Sequence, residues 1–175
     1  MDYEKLLKSY RKKNLAKLED FPDRVNYGLP DIKKLIPHRE PFLFLDNILG
    51  IDLHQGQIIG TRYISGDDPI FEGHFPDFPV YPASLQLEMI GQMGLCLYYF
   101  IHNNTTTIKE GIKPPGIRVS RVLGAHFMDA ILPEKTVTLV ARKLTLDPFF
   151  GTVLMQTQMD DKICSISITE VLFLE

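Results

Sequence analysis

One long apolar segment, residues 83–102 (ASLQLEMIGQMGLCLYYFIH), constrains the fold more than any other part of the chain. Its length suits a helix, but its apolar residues cover most of the circumference instead of one stripe. Gly91 and Gly94 are poor helix formers, and such positions indicate that another backbone packs close by. We therefore predict a helix from Ala83 to about His102 that lies inside a covering of other elements.

The rest of the chain supplies strands for that covering. Residues 42–65 predict two strands with a turn near HQG, and four further strands are predicted at 117–127, 135–146, 151–160 and 162–174. Period-2 alternation is clear in TVTLVARKL and in ICSISIT. No strand–helix–strand repeat is present, which argues against a parallel doubly wound sheet. The sequence thus favours an α+β fold in which an antiparallel sheet curls around one central helix.

The chain divides near residue 30 into an extension and a main domain. Residues 1–30 are predicted to form an N-terminal helical extension and connector, and residues 31–175 the main domain. Tyr3, Leu6 and Leu7 begin a loose helical spacing of apolar residues among several Lys and Arg side chains. This pattern fits a helix that packs one weak apolar face, or a basic arm that binds an acidic partner.

Composition excludes several functional classes. The formal net charge is -3, which gives no sign of a nucleic-acid binder. Cys96 and Cys164 lie in apolar segments and are expected to be small buried residues, since a disulfide framework or zinc site needs more ligands at suitable spacing. No segment reaches about 18 uninterrupted apolar residues, and the N-terminus does not read as a signal peptide. We therefore expect a cytoplasmic protein without a membrane span, a metal or a cofactor.

Two ionisable residues flank the start of the apolar helix. His74 lies in a loop that prolines restrict, and Glu88 lies among apolar residues of the helix. Burial disfavours a charged carboxylate, which would make Glu88 a proton donor, while an imidazole accepts protons near neutral pH. Opposite roles of this kind suit general acid–base catalysis. Spacing alone leaves a second interpretation open, in which His74 is a structural loop residue and Glu88 the solvated edge of the helix.

The helix start adds hydrogen-bond donors. Ala83 and Ser84 begin the helix, so their backbone N–H groups lack intrahelical partners and can polarise a carbonyl oxygen. Gln92 follows Glu88 by four residues on the same face and is predicted to hold its carboxylate in place.

The segment GHFPDFPVYPASLQLEMIGQ resembles the signature of the β-hydroxyacyl-acyl-carrier-protein dehydratases, in which G-H-F-P-x-x-P-x-x-P-G precedes a helix bearing E-x-x-x-Q. Upstream, IPHREPFLFLD is similar to the family's L-P-H-R-x-P-F-L-x-x-D. The resemblance covers roughly residues 31–174. It implies the hotdog fold, a sheet wrapped around one helix, in agreement with the strand and helix pattern.

The resemblance also implies an activity, the dehydration of (3R)-3-hydroxyacyl thioesters to trans-2-enoyl thioesters in fatty-acid, polyene or polyketide synthesis. It implies that His74 removes the C2 proton and that Glu88 protonates the leaving hydroxyl. The Ala83 N–H would bind the thioester oxygen, and Gln92, Phe75 and Pro82 would line the substrate site. His74 and Glu88 would come from different subunits of a homodimer, which in some relatives assembles into a trimer of dimers. His38 and Arg39 are interpreted as structural.

The sequence departs from the family at two places. Ala83 replaces the glycine that leads the family's helix, and its added methyl can crowd the thioester. His126, Met128 and Asp129 replace basic residues that would meet an acidic carrier protein. The thioester carrier is therefore either acyl-carrier protein or coenzyme A, and Arg118, Arg121 or the N-terminal helix would take over carrier binding.

Two other functions stay open. A hotdog thioesterase would use Glu88 to activate water and would leave His74 without a task. A non-catalytic hotdog subunit that binds acyl-carrier protein fits the change at Ala83, but it has no need of Glu88.

Overall fold

The computed structural model describes residues 1–111 and 113–174. Its helices are α1 (Tyr3–Tyr10), α2 (Leu29–Leu35), α3 (Ile70–Gly73) and α4 (Ala83–His102), and a 3-10 turn lies at Leu18–Asp20. Its strands are β1 (Asp23–Tyr27), β2 (Asn47–Asp52), β3 (Gln57–Ile64), β4 (Gly116–Phe127), β5 (Lys135–Leu146), β6 (Phe150–Met159) and β7 (Lys162–Leu174).

All seven strands form one antiparallel sheet in the order β1-β2-β3-β5-β6-β7-β4. Helix α4 packs against β3, β5, β6 and β7 on one face of this sheet. The predicted hotdog architecture, a sheet around one long helix, is confirmed.

Helix α4 has the predicted bounds. Pro82 precedes its first residue, where a missing N–H costs nothing, and the Asn103 N–H bonds back to Tyr99 O at its end. The side chains of Met89, Met93 and Leu97 are fully buried against the sheet. Gly60 on β3 lets the chain pass close to the Asn47 carbonyl and to Met93, where any Cβ would overlap both. The prediction of another backbone close to Gly91 and Gly94 is wrong, because a Cβ at Gly91 would meet no atom within 4 Å and one at Gly94 would meet only side chains of the sheet. The close backbone approach occurs instead at Gly60.

The N-terminal segment covers the other face of the sheet. Leu7, Leu15 and Phe21 are buried there against strand residues of β3, β5, β6 and β7, namely Ile59, Val140, Leu154, Ile166 and Ile168. We call residues 1–21 the N-terminal strap. Only Tyr3–Tyr10 of this strap is α-helical, so the predicted helical extension is shorter than expected. The strap packs an apolar face, as the first of the two interpretations required.

Polar contacts fix the strap to the sheet. The buried Gln156 side chain accepts from the Leu15 N–H at 2.8 Å and donates to the carbonyls of Tyr10 and Lys13. Arg142 on β5 donates to the Leu15 carbonyl at 2.7 Å. Gln156 and Arg142, on adjacent strands, thus supply hydrogen-bond partners for backbone groups of the strap, most of which has no regular secondary structure.

Strand β1 is missing from the sequence prediction, which placed a connector at residues 21–41. Within the part of the chain that the structure describes, it pairs with β2 alone and in an irregular register, so its pairing rather than a sequence pattern defines it.

Strand β7 departs from the usual alternation of buried apolar and exposed polar residues. Ser165, Ser167 and Thr169 are as buried as Ile166 and Ile168, because the strap covers the second face.

Cys96 and Cys164 are both buried and unpaired, as predicted. Across the described residues, no helix is both long enough and apolar enough to cross a membrane.

Candidate functional site

His74 lies in a closed loop between α3 and α4. Its backbone is held on both sides, since its N–H donates to Ile70 O at 3.0 Å and its carbonyl accepts from the Val80 N–H at 3.1 Å. Its ring Nδ1 lies 2.8 Å from the Val80 carbonyl, which can only accept, so Nδ1 carries the hydrogen. The Nε2 atom is therefore left as the proton acceptor.

The neighbours of His74 further define the loop. Phe75 stacks on the imidazole at 4.2 Å between ring centroids, is 53% exposed, and follows His74 through a cis peptide bond. Tyr81 is buried beneath the loop, and burial raises the pKa of its hydroxyl to about 12. The Tyr81 hydroxyl therefore stays protonated throughout the physiological range.

Glu88 projects from the second turn of α4 at the edge of a cleft. Its Oε1 accepts from the Gln92 side-chain amide at 2.9 Å and lies 3.4 Å from His38 Nε2. Both contacts involve Oε1, which leaves Oε2 as the oxygen that can carry a proton. The side chain is 34% exposed, so the expectation that the helix alone desolvates this carboxylate is wrong for the single chain.

Gln92 ties α4 to the segment before β2. Besides contacting Glu88, its amide accepts from the Phe44 N–H at 2.8 Å and donates to the Phe42 carbonyl at 3.0 Å. Gln92 is only 1% exposed, and such a buried amide is held by the bonds that it makes. The predicted Gln92–Glu88 contact is present, and Gln92 is itself fixed by two backbone groups.

His38 was interpreted from sequence as structural, yet it lies beside Glu88. The two residues are fifty positions apart, and only the packing of the segment after α2 against α4 brings them together. Its Nδ1 is buried, and no hydrogen-bond partner for it is found among the described residues. The P-H-R motif was the sequence signal that could have identified His38, but the spacing of residues along the chain assigned it no role. Arg39, by contrast, donates to the carbonyls of Lys33, Ile36 and His38, which agrees with a structural role.

The cleft beside Glu88 has a volume of about 370 Å³. It lies between α4 and strands β4, β6 and β7, and Glu88, Gln92 and His38 form its polar end. The rest of its lining is mostly apolar: Leu87, Leu95, Ile117, Val119, Val122, Val153, Met155 and Val171. A cleft of this size with a few polar groups at one end suits a small ligand that has an apolar tail.

The start of α4 lies near this polar end. Ser84 lines the cleft, and Ala83 and Ser84 are both exposed. The first helical bond runs from the Gln86 N–H to the Pro82 carbonyl at 3.0 Å, so the three preceding N–H groups, those of Ala83, Ser84 and Leu85, have no partner within the helix. The methyl of Ala83 therefore replaces the expected glycine without removing the N–H.

The structure does not join His74 to Glu88. Within residues 1–111 and 113–174 of this single chain, no hydrogen bond or ion pair links them, and His74 is not part of the cleft lining. Across the same residues, no group of three His, Cys, Asp or Glu side chains is placed to hold a metal ion. His74 and Glu88, which the sequence predicts to act as base and acid, therefore lie apart within this single chain.

A family model described as the FabA-like domain matches residues 36–163, which include His38, His74, Glu88 and Gln92. The chain belongs to this family. It is also 28% identical over 149 residues to a 3-hydroxyacyl-acyl-carrier-protein dehydratase FabZ from Protochlamydia amoebophila, covering 79% of this chain and 96% of that protein. A FabZ of the same description from Halalkalibacterium halodurans is 36% identical over 98 residues, covering 49% of this chain and 69% of the relative.

Solved structures show the same fold. The dehydratase heterocomplex ApeI:P from Xenorhabdus doucetiae superposes with a TM-score of 0.54 at 13% identity, over 82% of this chain and 91% of that one. At this identity the likeness concerns the fold alone.

Proposed function

We propose that this chain dehydrates (3R)-3-hydroxyacyl thioesters, carried on acyl-carrier protein, to trans-2-enoyl thioesters in fatty-acid or related polyene or polyketide synthesis. The observation that carries the proposal is Glu88, which Gln92 fixes at the polar end of an apolar cleft. Membership of the FabA-like family and the FabZ relatives support the same reaction. A cytoplasmic location stays a prediction from the sequence.

In the proposed reaction, His74 acts as the general base and Glu88 as the general acid. His74 Nε2 removes the C2 proton, and the electrons of that C–H bond form the C2=C3 double bond. The C3–O bond breaks as Glu88 gives its proton to the departing hydroxyl, which leaves as water. His74 then returns its proton to solvent and Glu88 takes one up, so neither residue is changed at the end.

The start of α4 would stabilise the charge that develops on the thioester oxygen. As the C2 proton leaves, negative charge accumulates on that oxygen, and an unpartnered backbone N–H is a suitable donor. The Ala83 N–H is the proposed donor, and the positive end of the helix dipole adds to its effect. Pro82 fixes the entry of the helix, and Phe75 and Pro82 are proposed to form the wall next to the thioester.

A homodimer would bring His74 of one subunit close to Glu88 of the other. Strand β4 is at the end of the sheet order, and among the described residues it pairs with β7 alone, so its outer edge has free backbone groups. It exposes Val119 (57%) and Val122 (52%), which also line the cleft. Pairing of β4 with the same strand of a second copy would bury this edge and bring a second His74 loop toward the cleft.

Between the two arginines of β4, Arg118 is the better candidate for binding the carrier. Arg121 is already paired with Glu170 through two contacts of 2.8 and 3.0 Å, whereas Arg118 is exposed on β4 and borders a small cavity with Pro37 and His38. We expect Arg118→Glu to raise KM for the acyl-carrier-protein substrate about tenfold and to leave KM for the coenzyme A substrate unchanged. Arg121→Glu is the matched control, and we expect it to raise this KM less than Arg118→Glu does. Equal effects of the two variants would remove Arg118 from this role.

Hydration of a trans-2-enoyl thioester tests the proposed function. Loss of the ultraviolet absorbance of the conjugated thioester would be followed for the wild type, His74→Ala and Glu88→Gln, on both carriers. We expect each variant to lose activity by roughly 10² to 10⁴-fold. Thioester hydrolysis without hydration would favour the thioesterase alternative. A folded wild type without either activity, whose carrier binding survives Glu88→Gln, would indicate the non-catalytic subunit.

A further inference from the structure

Two cavities follow one another along the same side of α4. The first is the cleft of about 370 Å³ beside Glu88, and the second, of about 800 Å³, lies near the C-terminal end of the helix. The second cavity is lined mainly by apolar and aromatic residues, among them Ile101, Pro115, Leu146, Phe149 and Phe173. The mechanism proposed above uses only the first cavity.

The lining of the two cavities continues along shared elements. On α4, Gly91 and Leu95 line the first cavity, and Tyr98 lines the second one helical turn later. On β7, Thr169 and Val171 line the first cavity and Phe173 lines the second, at the alternate positions that share one face of a strand. The two cavities are therefore consecutive parts of one groove between helix and sheet.

Tyr98 stands where the groove is interrupted. Its side chain is 1% exposed, and its ring packs edge-on against Phe173 with 5.2 Å between centroids. Its hydroxyl reaches across to Gly151 on β6, where a Cβ would overlap it. The groove is thus closed by a ring that spans from helix to sheet.

The Tyr98 hydroxyl has no hydrogen-bond partner within the part of the chain that the structure describes. A buried polar atom without a partner lowers stability, and a phenylalanine would fill the same space without that cost. The ring rather than the hydroxyl therefore closes the groove, and Tyr98→Phe is a matched control.

The first cavity is open along its floor because of a glycine. A Cβ built at Gly91 meets no atom within 4 Å, although the position lies in the middle of an apolar helix. Glu88 and Tyr98 are ten residues apart, which corresponds to about 15 Å along a helix axis.

We propose that Tyr98 is the residue that limits the length of the acyl chain, which lies along Gly91 in the first cavity and stops against the ring. This inference rests on the proposed dehydratase function and adds the specificity of the same site. The second cavity is then the space that a longer chain would reach if the ring were absent.

The test is a series of acyl-carrier-protein thioesters from butenoyl to hexadecenoyl, hydrated by the wild type, Tyr98→Ala and Tyr98→Phe. We expect wild-type kcat/KM to fall sharply beyond one chain length. Tyr98→Ala should raise the ratio of kcat/KM for long over short substrates by about tenfold or more, because apolar pockets discriminate by length. Tyr98→Phe should keep the wild-type ratio. A ratio that stays the same in Tyr98→Ala would overturn the proposal.

Two further measurements cover the other outcomes. If Tyr98→Ala does not fold, the variant Gly91→Leu can be used, because its side chain fills the floor of the cleft. It should shift the limit of acyl-chain length to shorter chains, and an unshifted limit would contradict the proposal.

If the wild type hydrates no thioester, the dehydratase function fails by itself. Calorimetric binding of saturated acyl-coenzyme A of each length then tests Tyr98 independently of turnover, and a length profile shared by wild type and Tyr98→Ala would overturn its role.

Discussion

At the scale of single residues, the least expected feature is the contact between His38 and Glu88. Two groups touch the same carboxylate oxygen, the Gln92 amide at 2.9 Å and His38 Nε2 at 3.4 Å. Together they orient the Glu88 carboxyl, so that the second oxygen can hold the proton for the leaving hydroxyl. We infer from this contact that His38 positions Glu88 for the proposed reaction.

We expect His38→Ala to lower kcat by about ten- to a hundredfold with little change in KM, because a misplaced acid costs rate rather than substrate binding. Steady-state kinetics that separate kcat from KM would check this. His54→Ala, at the exposed β2–β3 turn, is the matched control. An unchanged kcat in His38→Ala would show that the contact has no catalytic role.

The site residues were predictable only in part. His74, Glu88 and Gln92 occur in one continuous stretch, so their spacing and the family resemblance identified them as candidates. His38 escaped because its proximity to Glu88 depends on how two distant segments pack. The exposure of Glu88 was also misjudged, since the apolar neighbours along α4 face the sheet while Glu88 itself faces the cleft.

At the scale of elements, helix α4 combines stability with the shape of the cleft. Gly91 is unfavourable in the middle of a helix, yet it is the position where a side chain would enter the open cleft. The glycine thus keeps space for a ligand at a cost in helix stability.

We predict that Gly91→Ala raises the free energy of unfolding by roughly 0.5–1 kcal/mol, because alanine has the higher helix propensity and meets no atom there. The same variant should lower kcat/KM, since the methyl narrows the cleft. Denaturant unfolding and the hydration assay would measure the two effects. Gly94→Ala is the comparison, because its Cβ would be in van der Waals contact with Met155 Sδ at 3.4 Å, whereas a Cβ at Gly91 would meet no atom. Loss of stability in Gly91→Ala would contradict this account of the glycine.

The elements differ in how well the sequence predicts them. Helix α4 and strands β4 to β7 have long periodic patterns, and their predicted bounds agree with the structure to within a residue. Strand β1 has only five residues and one neighbour, so its pairing with β2 decides its structure more than its own pattern. The strap has helical spacing along much of its length, but its helix ends at Tyr10. Beyond that point Gln156 and Arg142 bind its backbone groups in place of helical bonds.

At the scale of the whole molecule, the sheet is buried on both faces. Helix α4 covers one face, and the N-terminal strap covers the other with its own apolar cluster. Gln156 makes three bonds to strap backbone atoms, at Tyr10, Lys13 and Leu15. The strap is thus an integral layer of the domain.

Gln156→Ala should therefore loosen the strap. We expect a loss of about 1–3 kcal/mol in the free energy of unfolding, because buried backbone groups lose their partner. Trypsin should then cleave faster near Arg11 and Lys13, which can be followed by mass spectrometry. Gln55→Ala, at an exposed turn, is the control. Unchanged cleavage in Gln156→Ala would show that apolar packing alone holds the strap.

The proposed dimer makes a separate prediction about strand β4. Val122→Lys places a charge on the exposed edge and should shift the protein from dimer to monomer, with loss of activity. Light scattering after size-exclusion chromatography would report the mass. Leu29→Lys is the control, since α2 packs against β1 and β2 at the other end of the sheet. A Val122→Lys dimer with wild-type affinity would exclude β4 as the interface.

In the proposed dimer, His74 of one subunit works with Glu88 of the other. The most direct measurement is the hydration activity of heterodimers that carry two different affinity tags and are purified through both. A His74→Ala subunit paired with a Glu88→Gln subunit has one intact shared site and should retain about half of the wild-type activity. A wild-type subunit paired with the double variant has no intact shared site and should be inactive. The reverse result, an inactive first heterodimer and a half-active second one, would show that each chain holds a complete site and would contradict this account.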